Sequence, residues 1–302
     1  MRYNLGIDLG GTKTEIVVLD RHRQPIYRQR IPTPAHSYAE ILTMIEHRVK
    51  SLEAELGITV TVGIGMPGAI SPNSGLLRNS NTVCLNGQPF LSDIEKRLNR
   101  RVRIHNDANC FTLSEALNGA ASGQAVVFGV IIGTGTGGGL VVDQRLLSGV
   151  HGIAGEWGHN PLPWHRSEDG EPPCYCGKNA CIETFLSGPG LARNYALRFG
   201  QEISSDEIVA GAGQGEPSCV EMMDAYHDQM ARALAHVINI LDPDAIVLGG
   251  GMSNIDSIYT EIPKRLPAYV FSDYVETPIL RAEHGDASGV FGAAMLWDDR
   301  GG

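Results

Sequence analysis

Hydrophobic and polar residues alternate in three short bursts at the start of the chain, YNLGIDLG, TEIVVLD and QPIYRQRIP, separated by a glycine-rich turn and a charged turn. Period-two alternation marks strands with one buried face, and three in succession predict an antiparallel meander. The period then changes. Ile41, Ile45, Val49, Leu52 and Leu56 recur at spacings of four, four, three and four, one face of a helix, and Gly57 follows as its C-cap. ITVTVGIGMPG returns to strand.

The same layout comes again 124 residues on when Gly11-Thr12 is set against Gly135-Thr136: AVVFGVIIGTGTGGGLVVDQRLLSG reads as strand, glycine-rich turn, strand, polar turn and the start of another strand. This is a weak internal repeat, which predicts two similar lobes. Met223, Tyr226, Met230, Leu234, Val237 and Leu241 then mark a long amphipathic helix that Asp242-Pro243 ends before the strand AIVLGG. After Gly285, DASGVFGAAMLW reads as a last helix.

A length of 302 residues exceeds what one hydrophobic core usually serves. The expected division is a small α/β lobe of residues 1–118, joined by a C-terminal helix at about 289–299 that crosses back to it, and a large α/β lobe of 119–288. No apolar run of about 18 residues suggests a membrane span, and MRYNLGIDLGG lacks the pattern of a secretory signal, so the expected location is the cytoplasm. The formal charge of −10 repels nucleic acid, and the basic stretches RHR (21–23) and RLNRRVR (97–103) read as a turn and a helix end. Six cysteines are too few for a disulfide scaffold, so the cluster CYCGKNAC at 174–181 points instead to metal.

Three glycine-rich turns sit at strand ends: DLGGTKT (8–14), IIGTGTGGGL (131–140) and LGGGMSN (248–254). One alone reads first as a plain hairpin. Three together suit a nucleotide, because bare backbone N–H groups can approach phosphate and ribose. No GxxxxGK[ST] occurs, which excludes the usual P-loop. Cys174, Cys176 and Cys181 stand at a spacing that a short loop can fold round one tetrahedral zinc, with a fourth ligand among His151, His159, His165, Cys84 and Cys110; the alternative is free thiols in a loop. In HNDANC (105–110) the Asn106-Asp107 pair follows a short strand and reads either as an Asx turn or helix N-cap, or as a functional carboxylate.

DxGGTK, GTGxGGG, GEWGHN, CxCGxxxCxE and DPDxIVLGGGxS together resemble the ROK family of bacterial sugar kinases and sugar-responsive repressors, over residues 5 to about 297. GEWGHNPLPW, CYCGKNACIETF and LNGQPF look most like its fructokinase branch. The resemblance implies an actin-like ATPase (ribonuclease H-like) fold of two α/β lobes with ATP and sugar in the cleft between them. It implies Asp107 as the base that takes the proton of the attacking sugar hydroxyl, and Asn106, Glu156, His159 and Glu183 as sugar contacts. It implies nucleotide contacts at Asp8, Gly10, Gly11, Thr12, Gly133, Thr134, Gly135, Gly249 and Gly250, with Asp8 orienting Mg²⁺. Among the possible fourth ligands it selects His159, giving a structural zinc site of His159, Cys174, Cys176 and Cys181 that fixes the loop carrying Glu183. Ala180 departs from the family's usual glycine, which bears on that loop's geometry.

The expected function is therefore ATP-dependent phosphorylation of D-fructose at its 6-hydroxyl, with mannose and glucose poorer and N-acetylglucosamine poorest. The alternatives are a glucokinase or N-acetylglucosamine kinase of the same family, or a sugar-sensing repressor, which would carry a DNA-binding segment ahead of the phosphate turn at Asp8. NTVCLNGQPF (81–90) is the candidate stretch for sugar choice, through its polar turn Asn86-Gly87, with a plain surface turn as the equal alternative. Family resemblance also implies a homodimer; neither nucleic acid nor membrane is an expected partner.

Overall fold

The computed structural model describes residues 3–298. The meander predicted at the start forms as β1 (Tyr3–Leu9), β2 (Lys13–Leu19) and β3 (Pro25–Pro32). Strand β1 is buried along most of its length, while β3, the edge strand, alternates exposed and half-buried positions as its sequence does. Helix α1 (Tyr38–Leu56) starts at Ser37, whose side chain accepts the Glu40 N–H, and ends at Gly57 with φ 63°. It buries Ile41, Leu42, Ile45, Val49 and Leu52, whereas Leu56, in its last turn, is exposed.

Strand β4 (Val60–Met66) is followed by the two-stranded hairpin β5 (Ala69–Ile70) and β6 (Leu77–Arg78), helix α2 (Phe90–Leu98), strand β7 (Val102–Asn106) and helix α3 (Asp107–Asn118). The first large sheet has the order β3-β2-β1-β4-β7, with β1, β4 and β7 parallel.

The second half repeats this plan. It runs β8 (Val126–Ile132), β9 (Thr136–Val142), β10 (Arg145–Leu146), helices α4 (Glu183–Leu186), α5 (Gly188–Phe199), α6 (Ser205–Gly213) and α7 (Pro217–Leu241), then β11 (Ala245–Gly249), α8 (Asp256–Arg265), β12 (Ile279–Arg281) and α9 (Ser288–Met295). Its sheet order, β10-β9-β8-β11-β12, matches the first position for position, and β8, β11 and β12 are again parallel. In each half a glycine-rich turn joins the central strand to its antiparallel neighbour, so the duplication lies in topology as well as in sequence. Helix α7 ends at Asp242, which takes φ 44° as its cap.

The chain divides into two compact units, 1–123 with 139–154 and 283–302, and 124–138 with 155–282. The expected division placed 119–288 together; here 139–154 group with the first unit. Residue 299, the last of the expected terminal helix, lies outside the described residues. Within the first unit α9 packs against α3, β1 and β4. It can do so because side chains are missing where they would collide. A Cβ on Gly63 would lie 1.9 Å from the Ala293 carbonyl oxygen, one on Gly6 2.3 Å from that of Val290, and one on Gly292 1.7 Å from that of Cys110. Glu115 fixes the entry to α9: its buried carboxylate accepts from the backbone N–H groups of Ala120, Glu283 and His284 at 2.9, 3.0 and 3.1 Å and from the Ser288 hydroxyl at 2.7 Å.

Candidate functional site

In the first unit, two carboxylates stand at the ends of neighbouring elements. Asp8 is the last residue but one of β1 and is half-buried, and Gly289, in the first turn of α9, leaves room for it, since a Cβ there would sit 3.0 Å from Oδ2. Burial pushes the Asp8 carboxyl up to about 7, and the charges of Asp107 and Glu15 add to the effect. Asp107 is the first residue of α3 and reaches solvent, yet desolvation by the protein around it still holds its carboxyl above the ordinary value, opposed by the Ala108 N–H that donates to Oδ1 at 2.9 Å. Asn106 is the N-cap of α3, its Oδ1 accepting the Asn109 N–H at 2.7 Å. The cap and the candidate site thus coincide: capping is what sets Asp107 at the mouth of a rigid, buried helix.

The turn between β1 and β2 closes with the Gly10 N–H donating to the Lys13 carbonyl at 3.1 Å. Beside Gly11 stand Asn81 and Thr82; a Cβ on Gly11 would meet Thr82 Oγ1 at 3.7 Å and Asn81 Oδ1 at 3.8 Å. Asn86, the polar residue expected to serve sugar choice, instead clamps its own loop, with Oδ1 accepting the Ser80 N–H at 2.9 Å and Nδ2 donating to the Ser80 carbonyl at 2.8 Å. The stretch therefore presents its beginning, Asn81-Thr82, to the glycine turn. An apolar-then-polar reading of NTVCLNGQPF gives no hint of this, because both asparagines look alike in sequence.

In the second unit the turn between β8 and β9 is closed by Gly133 N–H donating to the Gly135 carbonyl at 2.9 Å. The turn after β11 lies alongside: a Cβ on Gly250, which has φ 83°, would come 2.4 Å from the Ile132 carbonyl oxygen, and one on Gly133 3.9 Å from the Gly251 nitrogen. Glycine-rich turns at Gly133–Gly135 and Gly249–Gly250 are thus side by side, with Thr134 exposed at the surface. Gly138, by contrast, is a packing residue of the strand itself, where a Cβ would meet the Gly155 carbonyl oxygen at 2.8 Å and the Trp157 ring at 2.9 Å.

The cysteine cluster forms in the same unit. One ligand atom each from His159, Cys174, Cys176 and Cys181 lies within 4.8 Å of all the others. Cys174 Sγ is 3.6 Å from His159 Nδ1, and Cys176 Sγ is 3.6 Å from Cys181 Sγ. A tetrahedral zinc with ordinary Zn–S and Zn–N bonds requires separations of about 3.8 Å between two sulfurs and about 3.5 Å between sulfur and nitrogen. The four residues fit. His159 Nε2 is 2.9 Å from the Tyr175 hydroxyl, a partner that orients the ring with Nδ1 toward the cluster. Both ring nitrogens are thereby engaged. Burial and the adjoining thiols push Cys181 up to about 12, and burial also raises Cys174, whereas Cys176, helped first by the Lys178 N–H, is lowered. A cation is what would let three such groups coexist as thiolates. Two of the other candidates have partners elsewhere: His165 Nε2 meets the Gly170 carbonyl at 2.7 Å and the Cys84 thiol donates to the Ala35 carbonyl at 3.2 Å.

Backbone pairing locks the loop. Leu162 N–H donates to the Ala180 carbonyl at 2.9 Å, Ile182 N–H to the Asn160 carbonyl at 2.9 Å, and the Ala180 N–H to the Pro172 carbonyl at 2.9 Å. Ala180 holds φ 53°, the left-handed region where the family's glycine is at ease, so its methyl group carries a strain of roughly 1–2 kcal/mol while the four ligand atoms stay together. Behind the loop the fully buried Arg232 on α7 bonds both Asp169 oxygens, at 2.7 and 2.8 Å, and the Trp164 carbonyl at 2.9 Å. Glu156 opens the turn that carries His159, and Glu183 opens α4 just after Cys181 and Ile182.

Comparison with known proteins agrees with this arrangement. The model of the ROK family matches residues 4–300. The N-acetyl-D-glucosamine kinase of Pectobacterium atrosepticum is 40% identical over 296 residues, 96% of this chain and 97% of its own. Among solved structures, the ROK hexokinase from Thermus thermophilus superposes with a TM-score of 0.87 at 28% identity, over 97% of each chain. The ROK family glucokinase from Streptomyces griseus, solved with glucose and AMPPNP, gives 0.75 at 26% identity, over 97% of this chain and 98% of its own. The repeated sheet order is that of the actin-like ATPase fold which these relatives share. The chain belongs to the ROK family, as one of its sugar kinases.

Proposed function

We propose that this sugar kinase transfers the γ-phosphoryl group of ATP to the 6-hydroxyl of N-acetyl-D-glucosamine. The observation that carries the sugar is the 40% identity, over nearly the whole of both chains, to the N-acetyl-D-glucosamine kinase of Pectobacterium atrosepticum. This reverses the order in which the sequence motifs ranked the sugars, where fructose came first and N-acetylglucosamine last; none of the relatives named above is a fructokinase. Of the free hydroxyls, the 6-hydroxyl is the primary and least hindered one.

In this reading Asp107 accepts the proton of the 6-hydroxyl as that oxygen bonds to the γ-phosphorus, the bond from phosphorus to the bridging oxygen breaks, and ADP leaves. A carboxyl held above the ordinary value by desolvation is better matched to that proton than a solvated one. Asn106, fixed by its cap, and Glu156 and Glu183 serve as partners for sugar hydroxyls. His159, with both nitrogens engaged, serves the metal. The turns at Gly10–Thr12, Gly133–Gly135 and Gly249–Gly250 present backbone N–H groups to the nucleotide.

Asp8 is the residue that would orient Mg²⁺, which would supply positive charge against the charge that develops in transfer. Zn²⁺ held by His159, Cys174, Cys176 and Cys181 would be structural, since four protein ligands leave no open position. Phosphorus NMR of a mixture of the protein, ATP, Mg²⁺ and N-acetyl-D-glucosamine tests the proposal: a new phosphomonoester coupled to the C6 protons is expected, and ATP that persists unchanged, or is cleaved only to inorganic phosphate, would contradict it.

A further inference from the structure

The turn Gly133–Thr136 is fastened at both ends to the segment that follows the cysteine cluster. Glu183 Oε2 accepts the Thr136 N–H at 2.9 Å, and the Gly188 N–H donates to the Gly133 carbonyl at 2.9 Å. The carboxylate lies against the turn, since a Cβ on Gly135 would meet Oε2 at 2.8 Å. Glu183 is itself held by the cluster's own backbone. Cys181 pairs with Pro161, and its carbonyl accepts both the Thr184 N–H at 2.8 Å and the Thr184 hydroxyl at 2.7 Å.

A carboxylate beside a turn that receives polyphosphate is unfavourable on charge alone. What it supplies is an acceptor at one fixed place, which orients the Thr136 N–H and with it the N–H groups of the two glycines before it. We infer that Glu183 is a positioning residue for the nucleotide turn, transmitting the order of the cysteine loop to Gly133–Thr136 through its hydrogen bond to the Thr136 amide. The inference rests on the reading of that turn as a nucleotide contact, and it is distinct from any bond between Glu183 and a sugar hydroxyl.

The test uses the full chain and three variants, Glu183→Ala, Glu183→Asp and Glu183→Gln. Binding of a non-hydrolysable ATP analogue is measured by calorimetry without sugar, and exchange of the Thr136 amide proton by NMR without nucleotide. Glutamine keeps an acceptor oxygen at the same reach, so analogue affinity and Thr136 exchange should stay within about 3-fold of the unaltered protein. Aspartate keeps the charge but falls one methylene short. Asp and Ala should both weaken analogue binding about 5- to 20-fold and speed Thr136 exchange at least about 10-fold, with exchange of the β8 amides unchanged as the check on folding. Unaltered binding and exchange in the Ala and Asp variants, or the reverse order with Asp retained and Gln impaired, would overturn the inference while leaving the nucleotide reading intact. An unaltered protein that fails to bind the analogue would overturn the nucleotide reading itself, and the inference with it.

Discussion

Gly6 of β1 and Gly63 of β4 are register partners in the parallel ladder, and together they form the bare patch on which α9 lies. A side chain on either would strike the backbone of α9 rather than the flexible end of a side chain, so the helix itself would have to move. Gly63→Ala is expected to cost about 2–4 kcal/mol, at the upper end for overpacking, and Gly57→Ala, at a position with open space but φ 63°, about 1 kcal/mol. Urea denaturation of the two variants checks the order; equal losses would mean that α9 does not depend on the patch.

The cluster of His159 with three cysteines is expected to hold about one zinc per chain by elemental analysis. Cys176→Ser should lose the metal and lower the melting temperature by at least about 5 °C, because the backbone pairs that lock the loop are then no longer tied at a common centre. A protein that is metal-free as purified from zinc-replete medium, yet melts at the same temperature as the variant, would leave the four residues as ordinary side chains.

Much of this architecture is legible in the sequence, and the reason is locality. The meander, α1 and α7 are specified by periods read over a dozen residues, and the repeat of Gly11-Thr12 at Gly135-Thr136 announced the duplicated sheet. What was hidden depends on partners distant in sequence. Nothing around Gly63 names α9, which begins 225 residues later, and nothing around Glu183 names Thr136. Asn86 and Asn81 differ only in which way the loop turns them. Cys174, Cys176 and Cys181 are visible as a group because their spacing is short, while His159, outside that spacing, is selected among the candidates only by family resemblance and by its distance to the three thiols.

Asp8 predicts a pH dependence with a definite sign. Its carboxyl titrates at about 7 in the folded protein against an ordinary 3.8, so between those values the folded state holds a proton that the unfolded chain has released. Stability from this group therefore falls as pH rises from about 4 to about 7, and the cost is present in full above pH 7. Asp8→Asn should remove that cost, raising stability by about 1–3 kcal/mol at pH 8 and by less at pH 5, while turnover collapses if the ionised carboxylate orients Mg²⁺. Thermal melts at the two pH values check it; a larger gain at pH 5 would contradict the assignment.

Asp107→Asn keeps the size of the side chain and its place at the head of α3, and removes the base. Turnover is expected to fall about 10²- to 10⁴-fold with sugar KM changed far less. Steady-state kinetics decide it, and near-normal kcat in the purified variant would remove Asp107 from the chemical step.

Measurement of kcat/KM over a panel of sugars, by coupled detection of ADP, bears most directly on the central claim. Pockets reject a sugar chiefly by leaving buried polar groups unpaired, so a site that pairs with the acetamide should discriminate against hexoses that lack it. N-acetyl-D-glucosamine is expected to lead, with glucose, mannose and fructose each lower by at least about 10-fold. Fructose in first place, or equal values across the panel, would contradict the account.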